Sequence, residues 1–306
     1  MTSTNITKIT LYKMRTAGEV ISDTFGFITS HFQMLLKNIL LLLLPLCLLQ
    51  ALVFMLYVDA LASITSLTDI NDQWGLLLQW GAIFVAFLLI ALLSQLLLAS
   101  LVFAVIQRAE QSDQGLLGVR LANLKPMLNR NMKCMLALVG IGIVLGLLLV
   151  GLMGALFMLI GAWSGVVLML VIVLLLSPLT LLTPVYVLEE HISLWQAVKK
   201  ALRLGMSIWG KVVGVVLVVY IICSIGQTIF SLPWYILFVA KAMMLFGGDA
   251  ADLFVDSWIY LLLTYLAALL LIFAGMMVNA VLYVCQAYLY GHAVEKDNQQ
   301  NAASDY

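Results

Sequence analysis

Six long runs of apolar residues, each with few or no charges, set the pattern of this chain. A helix needs roughly 20 apolar residues to cross a hydrocarbon core about 30 Å thick. The runs are continuous rather than alternating, which favours helices over the strands of an outer-membrane barrel. We therefore predict an all-α polytopic membrane protein with six transmembrane helices, at about 38–57, 76–106, 134–160, 166–188, 211–231 and 258–290.

Three of these runs are preceded by a segment that is apolar on one helical face only. Spacings of i, i+4, i+7 and i+11 place four side chains on one stripe of a helix, with polar groups opposite. Such helices lie in the headgroup plane, so we predict interfacial amphipathic helices at about 19–35, 115–130 and 190–209. The stripes are Ile21, Phe25, Ile28 and Phe32; Leu117, Leu121, Leu124 and Leu128; and Trp195, Lys199, Leu202 and Met206, where Val198 replaces the mismatched Lys199.

Each interfacial helix leads through a lysine (Lys37, Lys133 or Lys211) into a pair of spans. One interpretation is a threefold repeat of an interfacial helix and a two-span hairpin. The other is coincidence, because apolar chains yield such matches readily and lysines commonly flank spans. The sequence leaves both interpretations open. Residues 1–290 are predicted to form a single membrane domain, and 291–306 a polar, disordered C-terminal tail.

The basic residues predict the orientation of the chain. With six spans, the side that holds both termini carries fourteen Lys and Arg residues, and the other side carries only Lys241 together with several aspartates. Basic loops stay in the cytoplasm, so both termini are predicted to be cytoplasmic. The basic residues are Lys8, Lys13, Arg15, Lys37, Arg108, Arg120, Lys125, Arg130, Lys133, Lys199, Lys200, Arg203, Lys211 and Lys296.

Composition agrees with this class and excludes others. Apolar residues make up 64 % of the 306 positions and charged residues 10 %, with a mean hydropathy of +1.12. A chain so poor in charge could not cover a water-facing surface. The net charge is zero, so nothing suggests nucleic-acid binding. The four cysteines stand singly and read as small apolar residues.

Candidate chemistry is sparse. The predicted span cores contain no ionisable residue, although proton relays and ion-coupled transporters usually need one there. No nucleophile–base pair is apparent, so no enzyme activity and no cofactor are predicted. Glu189, Glu190 and His191 could meet His31 and His292 at a metal ion, but they read more simply as charge at the start of a helix.

A polar stripe runs along the sixth predicted span. Asn279, Tyr283, Gln286 and Tyr290 share one helical face. With Gln95 and Gln227, they could line a cavity that opens to the cytoplasm. Alternatively, the amides bridge neighbouring helices and the tyrosines anchor the span at the membrane interface.

The basic residues of the interfacial segments are candidate contacts for anionic lipid headgroups. Each Lys or Arg near an anionic membrane surface contributes about 1 kcal/mol of attraction. The predicted partners are therefore membrane lipids. The residues are Lys37, Lys133, Lys199, Lys200, Arg203 and Lys211.

Two segments resemble known bacterial membrane proteins. The first runs from Pro184-Val185-Tyr186-Val187-Leu188-Glu189-Glu190 through Ser193 and Ala201-Leu202-Arg203-Leu204 to Trp209-Gly210, and the second from Gly18-Glu19 to Phe32 and Pro45. They resemble YciC-type integral membrane proteins and the membrane-spanning domain attached to some glycerophosphodiester phosphodiesterases. The resemblance implies six helices in the inner membrane. This sequence contains no phosphodiesterase segment, so no catalytic residue is carried over.

The sequence favours a non-enzymatic protein of the bacterial inner membrane, acting as a scaffold or accessory subunit or in envelope-lipid homeostasis. The alternative is a transporter or permease for a neutral or amphipathic substrate, with the polar stripe as its route.

Overall fold

The structure is a computed structural model that describes residues 10–65, 70–111, 121–160, 172, 174–189, 192–244 and 257–304. These residues form helices and their connections, with no strand among them. The helices are α1 (Ala17–Ser30), α2 (Phe32–Thr65), α3 (Ile70–Gln111), α4 (Leu121–Ile160), a short 3₁₀ helix (Ser177–Leu181), α5 (Leu182–Leu188), α6 (Leu194–Ser207), α7 (Trp209–Met244) and α8 (Trp258–Ser304).

Five of these helices are long and apolar enough to cross a membrane. Their candidate spans are Phe32–Asp59, Trp74–Gln111, Asn123–Ala155, Trp209–Lys241 and Trp258–Ala303. The prediction of an all-helical membrane protein is confirmed at this level. The predicted span at 166–188 lies partly outside the described residues, and its described part forms the shorter apolar helix Leu174–Leu188.

The first and third predicted interfacial segments form separate helices, α1 and α6, of 14 residues each. Thr16 caps α1 in a reciprocal capping box with Glu19, and Ser193 caps α6 in the same way with Gln196. Such boxes satisfy backbone N–H groups that the first turn leaves free. The single residues His31 and Ile208 then separate these helices from α2 and α7.

The predicted middle segment, 115–130, differs. Its described residues belong to α4, which runs without a break from Leu121 to Ile160. Buried amides hold the region of Asn131 inside the helix bundle: Asn131 Nδ2 donates to the Ser100 carbonyl at 3.3 Å and to Gln107 Oε1 at 3.3 Å. Gln107 in turn donates to the Val187 carbonyl at 3.0 Å. These contacts favour a continuous helix over a separate one.

Helix α6 packs mainly through small residues, together with Leu204. Ala197, Ala201 and Leu204 are buried. A Cβ atom added at Gly205 would stand only 2.6 Å from Cβ of Pro178 in the 3₁₀ helix. Glycine at this position therefore permits a close approach that a side chain would prevent.

The chain divides into two compact units, and the single membrane domain stays a prediction. Unit 1 comprises Met1–Asn38, Ala99–Tyr220 and Ala280–Tyr306, and unit 2 comprises Ile39–Leu98 and Ile221–Asn279. Unit 1 contains α1, α6 and buried polar groups such as Arg15, Asn131 and His292. Unit 2 contains an aromatic cluster that includes Phe54, Tyr57, Phe87 and Trp234.

The predicted disordered tail is helical as far as the structure describes it, because α8 continues to Ser304. Lys296 Nζ donates to the carbonyl oxygen of Ser207 at 2.7 Å, and Arg203 pairs with Asp297 at 2.9 Å. These long-range contacts hold the polar end of α8 against the end of α6, and local composition does not reveal them.

Candidate functional site

Within unit 1, one buried arginine holds the segment that precedes α1. The Arg15 side chain is almost fully buried, and its Nε donates to Asp23 Oδ2 at 2.8 Å. The guanidinium also donates to the carbonyl oxygens of Leu11, at 2.8 Å, and of Thr10, and it lies 4.8 Å from the ring centre of Tyr288. A buried charge needs partners of this kind because it has lost its hydration.

The same segment lies directly against α8 at Gly291. A Cβ atom at this position would overlap the carbonyl oxygen of Leu11, which is itself buried. Only glycine leaves room for the backbone at this contact. The N-terminal segment and the late part of α8 are therefore packed backbone to backbone.

His292 joins this segment to the start of α7. The Arg15 backbone N–H donates to His292 Nδ1 at 3.1 Å. Lys211 Nζ lies 2.7 Å from His292 Nε2 and donates to the Arg15 carbonyl at 2.7 Å. Because Nδ1 accepts a hydrogen bond, the proton of a neutral His292 belongs on Nε2, where it faces Lys211. Two donors in contact are unfavourable unless one loses a proton or an acceptor takes hydrogen bonds from both.

An open cavity of about 490 Å³ adjoins this junction. Lys211, His292 and Lys296 line it, together with Met206 and with Trp209 in the first turn of α7. The N-terminus of a helix adds partial positive charge. No carboxylate is among the described residues that line this cavity. The cavity therefore favours an anion, which could accept hydrogen bonds from both Lys211 and His292.

A second polar group lies where α8 meets α6. Tyr290 donates its hydroxyl to Glu189 Oε1 at 2.6 Å, and Lys200 Nζ pairs with the same oxygen at 2.7 Å. The ring of Tyr12 contacts Tyr290 edge-on, with centroids 6.2 Å apart. Burial, followed by the field of the Glu110 carboxylate, raises the pKa of Tyr12 above its ordinary value, so this phenol stays neutral.

The outer face of α6 is apolar and exposed. Trp195 and Met206 are 66 % and 58 % exposed, and Leu202 lies between them on the same stripe. Lys199 Nζ lies 5.4 Å from the ring centre of Trp195, and the Arg203 side chain is also exposed. An apolar stripe bordered by basic groups is typical of a helix that lies in the membrane interface.

The six predicted headgroup contacts fall into three groups. Lys37, Lys133 and Lys199 are exposed. Lys200 and Arg203 form ion pairs with Glu189 and Asp297, and Lys211 lines the cavity. Of these six residues, the structure thus brings only Lys211 into the basic cavity.

The predicted polar stripe is divided between the units. Gln95, Gln227 and Asn279 belong to unit 2, and Tyr283, Gln286 and Tyr290 to unit 1. Gln227 Nε2 would stand 3.4 Å from a Cβ at Gly275, so this amide packs against α8. The Tyr283 ring packs on Phe103 with centroids 6.0 Å apart. A cavity lined by the whole stripe stays a prediction.

The residues proposed for a metal site are not assembled in the described part of the chain. No group of three or more His, Cys, Asp or Glu is placed there to hold a metal ion. His31 Nδ1 lies 2.9 Å from the Ser30 hydroxyl, and His292 belongs to the junction with Lys211. Glu190 and His191 lie outside the described residues.

Sequence reasoning did not single out Arg15, His292 or Lys296 as parts of one site. Arg15 and Lys296 contribute to the basic side of the chain like any other charge near a span, and His292 follows the last span. Arg15 and His292 are 277 residues apart in sequence, and no spacing rule connects positions so far apart. A glycine at 291, beside the histidine, was the only local hint of a close approach.

The chain matches no family model, no curated protein and no solved structure.

Proposed function

We propose that this is a non-enzymatic integral protein of the bacterial inner membrane that binds anionic phospholipid headgroups on the side that holds its N-terminus. It serves as a scaffold or in envelope-lipid homeostasis. The observation that carries the proposal is the basic cavity with no carboxylate among its described lining residues, directly beside the exposed apolar face of α6.

The placement of the cavity favours a lipid. Met206 lines the cavity and also ends the apolar stripe of α6, and Trp209 lines it with 41 % of its surface exposed. A phospholipid whose headgroup phosphate lies between Lys211 and Lys296 would place its acyl chains against these apolar side chains. Each lysine contributes about 1 kcal/mol to such binding.

Contacts inside unit 1 support an even number of membrane crossings. Leu11 and Arg15, before the first span, contact Gly291 and His292, near the end of the last. Residues in contact lie at one level, which supports a return of the chain to the side from which it started. The proposed topology is six spans with both termini on the basic, cytoplasmic side.

Other contacts in unit 1 support a crossing between α4 and α6. Gln107, near the end of α3, donates to the Val187 carbonyl, and Asn131, in the N-terminal part of α4, contacts Gln107. Helix α4 leaves this level at Asn131 and the chain is back at Val187. This return supports the sixth crossing that the sequence predicts at about 166–188.

The proposal is tested by measuring lipid retention. The full chain is purified in detergent, and bound phosphatidylglycerol and phosphatidylethanolamine of equal chain length are compared by native mass spectrometry. The double variant Lys211→Gln/Lys296→Gln should retain about thirtyfold less phosphatidylglycerol, because it loses two contacts of about 1 kcal/mol each.

The matched control is Lys125→Gln, which removes an exposed lysine of α4 that does not line the cavity. It should leave phosphatidylglycerol retention within twofold of the unmodified chain. Equal retention by the double variant and the control would reject the cavity as a headgroup site.

One observation keeps the transporter alternative open. Gln286 Oε1, on the predicted polar stripe, is buried with no hydrogen-bond partner among the described residues. A substrate or water in a pathway would satisfy it. In proteoliposomes, uptake of a neutral solute that Asn279→Leu and Gln286→Leu abolish would favour transport. Higher thermal stability of these variants without any uptake would favour packing.

A further inference from the structure

A second cavity lies within unit 2, where the candidate spans in α2 and α7 end and the one in α8 begins. Its volume is about 220 Å³. Its wall combines one acidic group, one basic group and three aromatic rings. The lining residues that matter here are Asp59, Trp234, Phe238, Lys241 and Tyr260.

The two charged groups in the cavity wall form an ion pair with each other. Lys241 Nζ lies 2.8 Å from Asp59 Oδ1, and their side chains are 31 % and 50 % exposed. Ion pairs with this much exposure are weak, because water solvates both charges. A ligand that carries both signs of charge can therefore separate them and satisfy each one.

The aromatic wall is already in place for a cation. The rings of Trp234 and Phe238 are stacked, with centroids 5.2 Å apart and planes 14° apart. Tyr260 donates its hydroxyl to the Leu237 carbonyl at 2.9 Å, which fixes its ring. Aromatic faces attract ammonium groups, and rings held in advance lose little entropy on binding.

We propose that this cavity binds the zwitterionic aminophosphate headgroup of a phospholipid. The ammonium group lies between the Asp59 carboxylate and the aromatic rings, and the phosphate pairs with Lys241. This site is separate from the basic cavity of unit 1, and it selects a headgroup with no net charge instead of an anionic one.

The surroundings favour a lipid over a free zwitterion. Tyr235, Val239 and Ile259 flank the lining residues on α7 and α8 and are about half exposed. In a membrane such side chains face acyl chains. The cavity is large enough for a small headgroup and leaves the chains outside, on this apolar surface.

The test again uses the full chain and native mass spectrometry. Trp234→Leu should lower retention of phosphatidylethanolamine about fivefold, from the loss of an ammonium–aromatic contact, and leave phosphatidylglycerol unchanged. The matched control is Tyr235→Leu, which removes the neighbouring, outward-facing ring and should change neither lipid. Equal effects of Trp234→Leu and Tyr235→Leu would overturn the site.

A second variant keeps the test independent of folding. Asp59→Asn/Lys241→Gln removes both charges, so no unpaired charge remains, and it should lower retention of phosphatidylethanolamine alone. Unchanged retention would overturn the proposal.

Free phosphoethanolamine added at the same concentration should not displace the lipid, and full displacement would assign the cavity to a soluble zwitterion. The Lys211→Gln/Lys296→Gln variant should lower retention of phosphatidylglycerol only. Each of the two proposed sites can therefore be rejected without rejecting the other.

Discussion

At the scale of single residues, the polar core of unit 1 depends on a few residues that cannot be substituted without losing a contact. Arg15 is buried and uses its backbone and its guanidinium to contact Asp23, Leu11 and His292. Gly291 permits this arrangement, because any side chain there would enter the Leu11 backbone. The importance of such positions follows from their contacts in the structure and not from their residue type.

Gly291→Ala should therefore destabilise the chain. The added methyl group must displace the segment that precedes α1, and overpacking of this kind costs about 1–3 kcal/mol. The matched control is Gly214→Ala in α7, where a Cβ meets nothing within 4 Å. That variant should be neutral or more stable by up to about 1 kcal/mol, since alanine is the better helix former.

Thermal unfolding in detergent, followed by circular dichroism, measures both glycine variants. A melting temperature for Gly291→Ala equal to or above that of Gly214→Ala would contradict the backbone contact between Leu11 and α8.

At the scale of elements, α1 and α6 share one design. Both have 14 residues, a capping box at the N-terminus and one non-helical residue before a long helix. They also bury residues at matching steps, Val20, Thr24 and Phe27 in α1 and Ala197, Ala201 and Leu204 in α6. This register pairs Thr16 with Ser193 and differs by three residues from the predicted pairing of the apolar stripes. The threefold repeat itself stays a prediction.

The two capping boxes should respond differently to pH. Hydrogen bonds from the Thr16 backbone and side chain, in that order, lower the pKa of Glu19 below its ordinary value of 4.5. The ionised Glu19 therefore stabilises the folded form. This stabilisation is fully present above pH 4.5, and it is lost as the pH falls through the lowered pKa. Gln196, which holds the same position in α6, does not titrate.

Hydrogen exchange in the first turn of each helix measures this difference. Exchange in α1, relative to the intrinsic rate, should rise as the pH falls below about 4.5, while exchange in α6 stays constant. Glu19→Gln should remove the response of α1. A parallel rise in both helices would show that acid acts on the whole unit and not on the cap.

At the scale of the whole molecule, the contacts of unit 1 bear on topology. They join the segment before α1, the start of α7 and the late part of α8. Five spans would place the two ends of the chain on opposite sides of the membrane, and six would place them on one side. The contact between Arg15 and His292 therefore supports our proposal of an even number of spans.

Reporter fusions at the two ends test this number. A fluorescent reporter that folds only in the cytoplasm should be bright at both the N-terminus and the C-terminus, and alkaline phosphatase should be inactive at both. A phosphatase that is active at one end alone would indicate an odd number of spans and would reject the proposed topology.

The residues that line the two cavities were less predictable from the sequence than the helices were. Lys211 was predicted as a headgroup contact, and the structure places it in the basic cavity. Its neighbours Lys296 and His292 come from α8, and Asp59 and Lys241 meet from α2 and α7. Local periodicity reports which face of one helix is apolar, but it does not report which helix stands opposite.

The sequence by itself determined the membrane class, the five candidate spans and the short helices before α2 and α7. Continuous hydrophobicity over a bilayer thickness admits only helices, because every backbone group must be bonded within its own segment. The tertiary structure alone decided the continuity of α4, the continuation of α8 to Ser304 and the residues that line both cavities. Each of these depends on contacts between residues far apart in the chain, such as Arg203 with Asp297 and Asn131 with Gln107, and those contacts form only once the helices have packed.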